Sequence, residues 1–283
     1  MVRLLRPKEW VKNGFVAAPL LLTPEAQTWS SVALVLWGMV AFSAVASAVY
    51  VLNDYQDREA DRHHPVKCRR PLAAGTVSPA RALTLLGFLL GMGFGLAVWL
   101  SIPFALVLGA YFGLNVAYSL GLKNVAIVDV LIIAMGFILR VEGGAILVGV
   151  MATVWITLMT GLLALFIGLA KRRDDVVRAL GADHRSSLRG YNRAFLDNAV
   201  TVVLGALLVA YLIYTTDPEV SARMGTDHLV YTTPFVVLGI FRYLQIMFVE
   251  ERSGSPTDLV LKDRVLRGSI VAWALAFGVV LHL

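Results

Sequence analysis

Long apolar runs alternate with short polar loops along the whole chain, and the runs show no two-residue alternation. A membrane-spanning helix needs about 20 mostly apolar residues, whereas a membrane β-barrel strand alternates apolar and polar residues over about 10 positions. The pattern therefore predicts an all-α polytopic membrane protein with about nine transmembrane helices. The predicted segments are residues 10–22, 32–52, 82–100, 103–120, 125–150, 153–170, 194–214, 230–249 and 265–282. The first is short for a span and could instead be tilted or re-entrant.

Composition agrees with this interpretation. Of the 283 residues, 58% are hydrophobic and 16% are charged, against roughly 45–50% and 25% in an average soluble domain. Such a chain is too apolar to be disordered, and its single cysteine, Cys68, excludes a disulfide scaffold. Because no linker or low-complexity segment interrupts the pattern, we expect residues 1–283 to form a single transmembrane domain.

Positive charge is distributed unevenly between the loops. The N-terminus and the loops after the second, fourth, sixth and eighth segments hold 22 of the 25 Lys and Arg residues. Arg140 and Arg242 lie inside predicted helices, and Arg223 alone lies in a loop on the opposite side. The positive-inside rule then places the N-terminus and the basic loops in the cytoplasm and the C-terminus outside. We expect a multi-pass protein of the cytoplasmic (inner) membrane.

An acid-rich motif begins where the second segment leaves the membrane. Its oxygen-bearing residues are Asn53, Asp54, Asp57 and Asp61. At 100° per residue they fall within a stripe of about 100° on one helix face. Hard oxygen ligands in this arrangement suit Mg²⁺, which completes its coordination shell with substrate phosphates. Lys67, Arg69 and Arg70 follow and suit a polyanionic ligand such as pyrophosphate. A solvated, charged helix end is the alternative.

A basic motif, with Lys171, Arg172 and Asp175, lies where the sixth segment emerges. Such cations either anchor a helix end at the interface or bind an anionic ligand or lipid headgroup. Two further polar groups are candidates for the same chemistry. They are Tyr118 with Lys123 at the end of the fourth segment, and Lys12 with Asn13 near the N-terminus.

Arg140 stands about 15 residues into the fifth segment, or roughly 22 Å along a helix. An arginine at that depth usually faces a cavity or a partner. Its own segment offers Glu142, but that residue points to another helix face. The partner of Arg140 is therefore unknown, and a structural pair and a site role remain equally open.

These motifs resemble the UbiA prenyltransferase superfamily. The motif Asn53-Asp-x-x-Asp57-x-x-x-Asp61 is specific for the superfamily. Segments 6–13 and 171–172 resemble the subfamily of decaprenyl-phosphate phosphoribosyltransferases most closely. Supporting matches lie at residues 61–71, 118–123, 136–140, 241–244 and 258–264.

The resemblance implies nine helices around a cavity open to the cytoplasm, and a glycosyltransferase. It would move 5-phosphoribose from phosphoribosyl pyrophosphate to a polyprenyl phosphate in the membrane, with Mg²⁺ and release of pyrophosphate. No nucleic-acid partner is implied, and a homo-oligomer is left open. The implied metal ligands are Asn53, Asp54, Asp57 and Asp61, with the three aspartates as catalytic residues. The implied substrate-binding residues are Lys12, Asn13, Lys67, Arg70, Tyr118, Lys123, Arg140, Lys171, Arg172 and Asp175.

Two other functions compete with this one. A UbiA-type enzyme that prenylates an aromatic or haem-like acceptor would carry a second acid cluster where this chain has Lys171-Arg-Arg. Asp175 also replaces the glutamate expected from the subfamily. A transporter would place ionisable residues at mid-membrane and show an inverted repeat, and Arg140 and Glu142 are the main candidates for that.

Overall fold

The structure is a computed structural model that describes residues 1–63, 67–178, 186–251, 259–260 and 262–281. Every regular element in these ranges is helical. The long helices are α1 (Trp29–Gln56), α2 (Pro79–Leu100), α3 (Ile102–Leu120), α4 (Val128–Leu147), α5 (Val154–Val177), α6 (Arg193–Thr216), α7 (Thr233–Phe248) and α8 (Arg264–Val280). The predicted all-α fold is confirmed.

Seven helical stretches in the described ranges are long and apolar enough to cross a membrane. They are α1 to α6 together with Leu229–Phe248, in which a short 3₁₀ turn, Leu229–Thr232, leads into α7. Helix α8 is apolar but has only 17 residues. The apolar segments predicted about nine spans, and the described helices do not confirm that number.

The first predicted span differs most from the structure. Residues Pro7–Ala17 form a 3₁₀-helix, and a single α-helical turn, Ala18–Leu21, follows. Proline lacks an N–H and restricts its neighbour, so Pro7, Pro19 and Pro24 divide this stretch into short pieces. The structure therefore has short helical pieces where the first span was predicted.

Several helices begin at residues whose side chains accept a hydrogen bond from the first turn. This N-cap satisfies a backbone N–H that the helix itself leaves without a partner. The capping residues are Thr28 before α1, Ser78 before α2, Thr153 before α5, Asn192 before α6 and Asp263 before α8. Polar residues at the ends of apolar runs therefore fix where the helices start.

The chain divides into two compact units. Unit 1 comprises Met1–Gly121 and Gly136–Ala152, and unit 2 comprises Leu122–Met135 and Thr153–Leu283. In unit 1, α1 packs along α2, and α2 packs against α3. Phe42, Phe104 and Leu108 are fully buried in its apolar core.

Unit 2 has its own core, formed where α5 packs on α6 and α7 packs on α8. Leu196, Val200 and Ile246 are fully buried there. The prediction of a single domain over residues 1–283 stays a prediction.

Candidate functional site

The acid-rich motif continues the helical path of α1 beyond the end of that helix. The N–H of Asp57 donates to Asn53 O at 2.9 Å, and the N–H of Asp61 donates to Asp57 O at 2.8 Å. Asp61 lies in the short helix Arg58–Arg62 that follows directly. Asp54 and Asp61 are buried, while Asp57 is half-buried. The four-residue spacing thus places Asn53, Asp57 and Asp61 on successive turns, as the sequence indicated.

Two arginines neutralise the buried carboxylates. Arg6 Nη2 donates to Asp54 Oδ1 at 2.6 Å. Arg70 Nη1 lies 2.7 Å from Asp61 Oδ2 and 3.2 Å from Asp54 Oδ1, so it bridges the two acids. The Arg6 guanidinium also stacks over the Tyr50 ring, 4.8 Å from its centroid. Sequence reasoning included Arg70 among the site residues but left Arg6 out, since Arg6 stands 48 positions from Asp54.

The oxygen atoms of this motif fit Mg²⁺ in type. Asn53 Oδ1 is buried and has no hydrogen-bond partner in the part of the chain that the structure describes. An orphaned acceptor beside carboxylates is the kind of group that a hard cation satisfies. Among the described residues, no three His, Cys, Asp or Glu side chains converge as a preformed metal site. Cation binding here would therefore have to exchange with the arginine contacts.

Hydrogen bonds fasten the N-terminal 3₁₀ segment to α1. Trp10 Nε1 donates to Ser47 Oγ at 3.0 Å, and Asn13 Nδ2 donates to Ser43 Oγ at 2.8 Å. Lys12 is half-buried and pairs with Glu9. The buried Asn13 therefore has a structural contact, and this segment is what brings Arg6 to Asp54.

Arg140 finds its partners within unit 1. Its Nε donates to Asn13 Oδ1 at 2.9 Å, Nη1 to Gly136 O at 2.7 Å and Nη2 to Tyr111 Oη at 3.0 Å. The guanidinium also lies 4.6 Å from the centroid of the Tyr111 ring. All three nitrogens thus have protein acceptors, which answers the question of how a buried arginine is accommodated. Its role toward substrate stays a prediction.

A second polar cluster lies in unit 2. Arg172 Nε donates to Asp129 Oδ2 at 2.7 Å, and Arg172 Nη1 lies 3.3 Å from Asp175 Oδ2. The side chains of Arg172 and Asp129 are 1% and 0% exposed. Tyr191 Oη donates to Asp129 Oδ1 at 2.7 Å. Sequence reasoning placed Arg172 and Asp175 in the site but missed Tyr191, since no local spacing links Tyr191 to α4.

The basic motif lies within a helix and not after one. Helix α5 runs on to Val177 instead of ending near residue 170. Lys171 is therefore exposed on a helix face. Arg173, one residue beyond Arg172, is buried, and its Nη2 donates to Met247 O at 3.1 Å. Only one of the three consecutive cations of this motif is directed to solvent.

The remaining predicted residues are half-buried at helix ends. Tyr118 lies in the last turn of α3, Lys67 in the 3₁₀ turn Lys67–Arg69, and Lys123 in the 3₁₀ turn Leu122–Asn124. The structure places each of them at the end of an apolar helix or in the loop that follows it. Their contacts with substrate stay predictions.

Arg242, the second arginine predicted within a helix, pairs with two acids. Its Nη2 lies 2.7 Å from Asp263 Oδ2, and its Nη1 lies 2.6 Å from Glu250 Oε1. The N–H groups of Val265 and Leu266 also donate to Asp263. The Arg242 hydrogen bond, with these N–H groups, lowers the pKa of Asp263 to about 2. Arg242 therefore fastens α7 to the start of α8.

Comparison with known proteins adds a family and close relatives. The sequence model of the UbiA prenyltransferase family matches residues 14–261. A decaprenyl-phosphate phosphoribosyltransferase from Mycobacterium tuberculosis is 33% identical over 98% of this chain and 95% of its own length. Another from Mycolicibacterium smegmatis is 30% identical over 100% of this chain and 92% of its own length.

The fold has a solved counterpart. A UbiA homologue from Archaeoglobus fulgidus, whose structure holds GPP and Mg²⁺, superposes with a TM-score of 0.71. The match covers 100% of this chain and 99% of that one, at 17% identity. At that identity the likeness concerns the fold.

Proposed function

The chain belongs to the UbiA prenyltransferase family, and we propose that it transfers 5-phosphoribose from phosphoribosyl pyrophosphate to a polyprenyl phosphate. The observation that carries this proposal is the 30–33% identity, over nearly the full chain, to curated decaprenyl-phosphate phosphoribosyltransferases. The basic α5 motif supports it, because cations suit an anionic lipid phosphate better than a neutral ring.

The acid-rich motif of unit 1 is proposed as the pyrophosphate end of the reaction. The proposed Mg²⁺ ligands are Asn53, Asp54, Asp57 and Asp61. Bound Mg²⁺ would supply positive charge that stabilises the leaving pyrophosphate. Arg70 and Lys67 add to that charge, because Arg70 already lies between the two buried acids and its side chain is 28% exposed. A guanidinium with access to solvent is free to turn toward an arriving polyanion.

The polar cluster of unit 2 is proposed as a phosphate-binding region. Lys171 is exposed beside the buried Arg172 and is the cation best placed to bind a phosphate from solvent. Arg172 and Asp175 already contact each other, so we propose that they support Lys171 from the same helix. Lys123 is proposed as a second phosphate ligand of this unit. We propose Lys12, Asn13, Tyr118 and Arg140 as further substrate-contacting or supporting residues.

The transfer itself needs few protein groups. A phosphate oxygen of the lipid attacks C1 of the ribose, and the bond between C1 and the pyrophosphate oxygen breaks. Charge then moves onto pyrophosphate, so positively charged side chains aimed at that oxygen lower the barrier most. Because a lipid phosphate is already ionised near neutral pH, no dedicated general base is required. The chain's task is to bind, orient and screen two anions.

The decisive experiment offers the purified protein two pairs of substrates in the presence of Mg²⁺. One mixture contains labelled phosphoribosyl pyrophosphate and a polyprenyl phosphate, and the other contains a prenyl pyrophosphate and 4-hydroxybenzoate. We expect labelled lipid from the first mixture only. Asp57→Asn, which keeps the side-chain shape but removes a charge, should abolish that product while leaving the thermal unfolding midpoint unchanged. Prenylated 4-hydroxybenzoate alone would refute the proposal.

We also propose that the acid-rich motif faces the cytoplasm. The supporting observation is the bias of Lys and Arg toward one set of loops. In a Cys68→Ser background, Thr226→Cys should react with an impermeant thiol reagent in intact cells. Thr76→Cys, in the loop after the acid-rich motif, should react only after permeabilisation. The reverse pattern would place the proposed donor site on the wrong side for a cytoplasmic sugar phosphate.

A further inference from the structure

The hydroxyl of Tyr191 connects two loops of unit 2. The backbone N–H of Ile127 donates to Tyr191 Oη at 2.6 Å, and Tyr191 Oη donates to Asp129 Oδ1 at 2.7 Å. The second carboxylate oxygen of Asp129 accepts from Arg172 Nε at 2.7 Å. Because Tyr191, Asp129 and Arg172 are all buried, the part of this path that joins their side chains is shielded from water. The loop before α4 is thereby tied to the basic motif of α5.

Ile127, at the start of that path, has an unusual backbone conformation. Its φ is +71°, in the left-handed region that β-branched residues rarely adopt. Such a conformation persists only where the surroundings fix it, and it recurs at functional sites. The N–H of Ile127 is the group from which Tyr191 Oη accepts a hydrogen bond. The tyrosine hydroxyl therefore holds the backbone at a point where it would otherwise relax.

The same loops pack closely at Gly190. A Cβ on Gly190 would lie 2.5 Å from Ala126 Cβ, closer than two non-bonded carbon atoms approach each other. The 3₁₀ turns Leu122–Asn124 and Ser186–Gly190 lie against each other. Lys123 thus stands on a turn whose position is set from one side by Gly190 and Tyr191. Neither residue belongs to the motifs that suggested a site.

We propose that Tyr191 is a positioning residue that holds the loop of residues 122–128 in its strained form and so places Lys123 against a substrate phosphate. This inference rests on the proposed function, in which Lys123 is a phosphate ligand. The phosphate belongs to the ribose donor or to the lipid acceptor, and the two sources share the same chemistry. The tyrosine itself touches no substrate in this scheme.

The test compares two buried tyrosines of unit 2. Tyr211 is buried to the same 7% exposure as Tyr191, and its hydroxyl lies 2.6 Å from Thr232 Oγ1 and 2.7 Å from Trp273 Nε1. Tyr191→Phe should raise KM for one substrate about tenfold with a smaller change in kcat. Tyr211→Phe should lower stability comparably and leave both constants near wild type. The substrate whose KM rises identifies the phosphate that Lys123 binds.

A second substitution separates positioning from general destabilisation. In the Tyr191→Phe background, Ile127→Gly should bring the raised KM most of the way back to the wild-type value, since glycine adopts positive φ without strain. Ile127→Ala removes the same branching but keeps the conformational penalty, so it should recover little. Equal recovery with glycine and alanine, or a Tyr191→Phe enzyme with the kinetics of Tyr211→Phe, would overturn the inference.

Hydrogen exchange tests the loop without relying on activity. Tyr191→Phe should speed the exchange of backbone amides in residues 122–128, and Tyr211→Phe should not. Unchanged exchange in that loop would refute the inference even in a fully active enzyme. If exchange is faster in Tyr191→Phe but the wild-type protein transfers no phosphoribose, the proposed function alone is refuted.

Discussion

The two clusters of arginine and aspartate, one in each unit, differ in the access of their cations to solvent. In unit 1, the side chains of Arg6 and Arg70 are 31% and 28% exposed while the carboxylates that they hold are buried. In unit 2, Arg172 is as buried as its partner Asp129. A partly exposed guanidinium can leave its carboxylate for an arriving anion, whereas a buried one would leave a carboxylate charge in the protein interior.

The difference teaches that basic residues next to a functional motif serve two purposes. The cations of unit 1 lie at a candidate ligand site and can turn toward an anionic ligand. The buried pair of unit 2 has a structural role and holds other groups, such as Lys171, in place. Residue type alone does not separate the two, because both clusters consist of arginine and aspartate. Solvent access of the cation separates them.

The largest expected effect comes from breaking the buried pair. Arg172→Met removes the buried cation that pairs with the Asp129 carboxylate and should cost about 3–5 kcal/mol in the free energy of unfolding. Adding Asp129→Asn removes the buried negative charge, so the double variant should regain much of that loss. Thermal unfolding in detergent measures both. If Arg172→Met were no less stable than Arg6→Met, the distinction between the two clusters would fail.

A smaller effect, on activity, is expected for Arg70. Arg70→Gln removes the cation that bridges Asp54 and Asp61, and the loss of one charge-assisted contact to pyrophosphate is worth about 1.5–3 kcal/mol. We therefore expect kcat/KM to fall roughly ten- to a hundredfold, with a thermal shift well below that of Arg172→Met. Arg81→Gln, at an exposed position in the first turn of α2, is the control and should behave as wild type.

A metal-binding measurement sharpens the comparison further. Because Arg6 holds Asp54 Oδ1 at 2.6 Å, Arg6 and a cation compete for the same oxygen. Arg6→Gln should tighten Mn²⁺ binding by about fivefold, since a partly exposed ion pair is worth about 1 kcal/mol or less. Mn²⁺ titration followed by electron paramagnetic resonance measures this without turnover. Lys8→Gln, on the same segment, should leave the affinity unchanged, and weaker binding in Arg6→Gln would contradict the competition.

Much of the fold could be predicted from the sequence, because apolar runs determine the helices. Helix α2 ends at the predicted residue 100, and α3 ends at the predicted residue 120. The N-terminal segment was harder, since its prolines interrupt a short apolar run. In the site, helical spacing predicted the succession of Asp57 and Asp61. The partners of the charged groups could not be predicted, since Arg6–Asp54 and Tyr191–Asp129 join residues 48 and 62 positions apart.

The smallest expected effect concerns a third pair, Arg242 with Asp263, whose side chains are 15% and 6% exposed. The pKa of Asp263 is lowered to about 2 by its hydrogen bonds with Arg242 and with the first turn of α8. An aspartate with a depressed pKa in the folded state contributes stability above its unfolded pKa of about 3.9, and that contribution is lost as the pH falls toward 2. Between pH 4 and 2.5, the unfolding midpoint should therefore fall more steeply for wild type than for Asp263→Asn. Asp227→Asn, an exposed aspartate in another loop, should keep the wild-type slope. Equal slopes for wild type and Asp263→Asn would show that a partly exposed ion pair contributes little to stability. Only a fully buried pair, such as that of Arg172, would then count as structural.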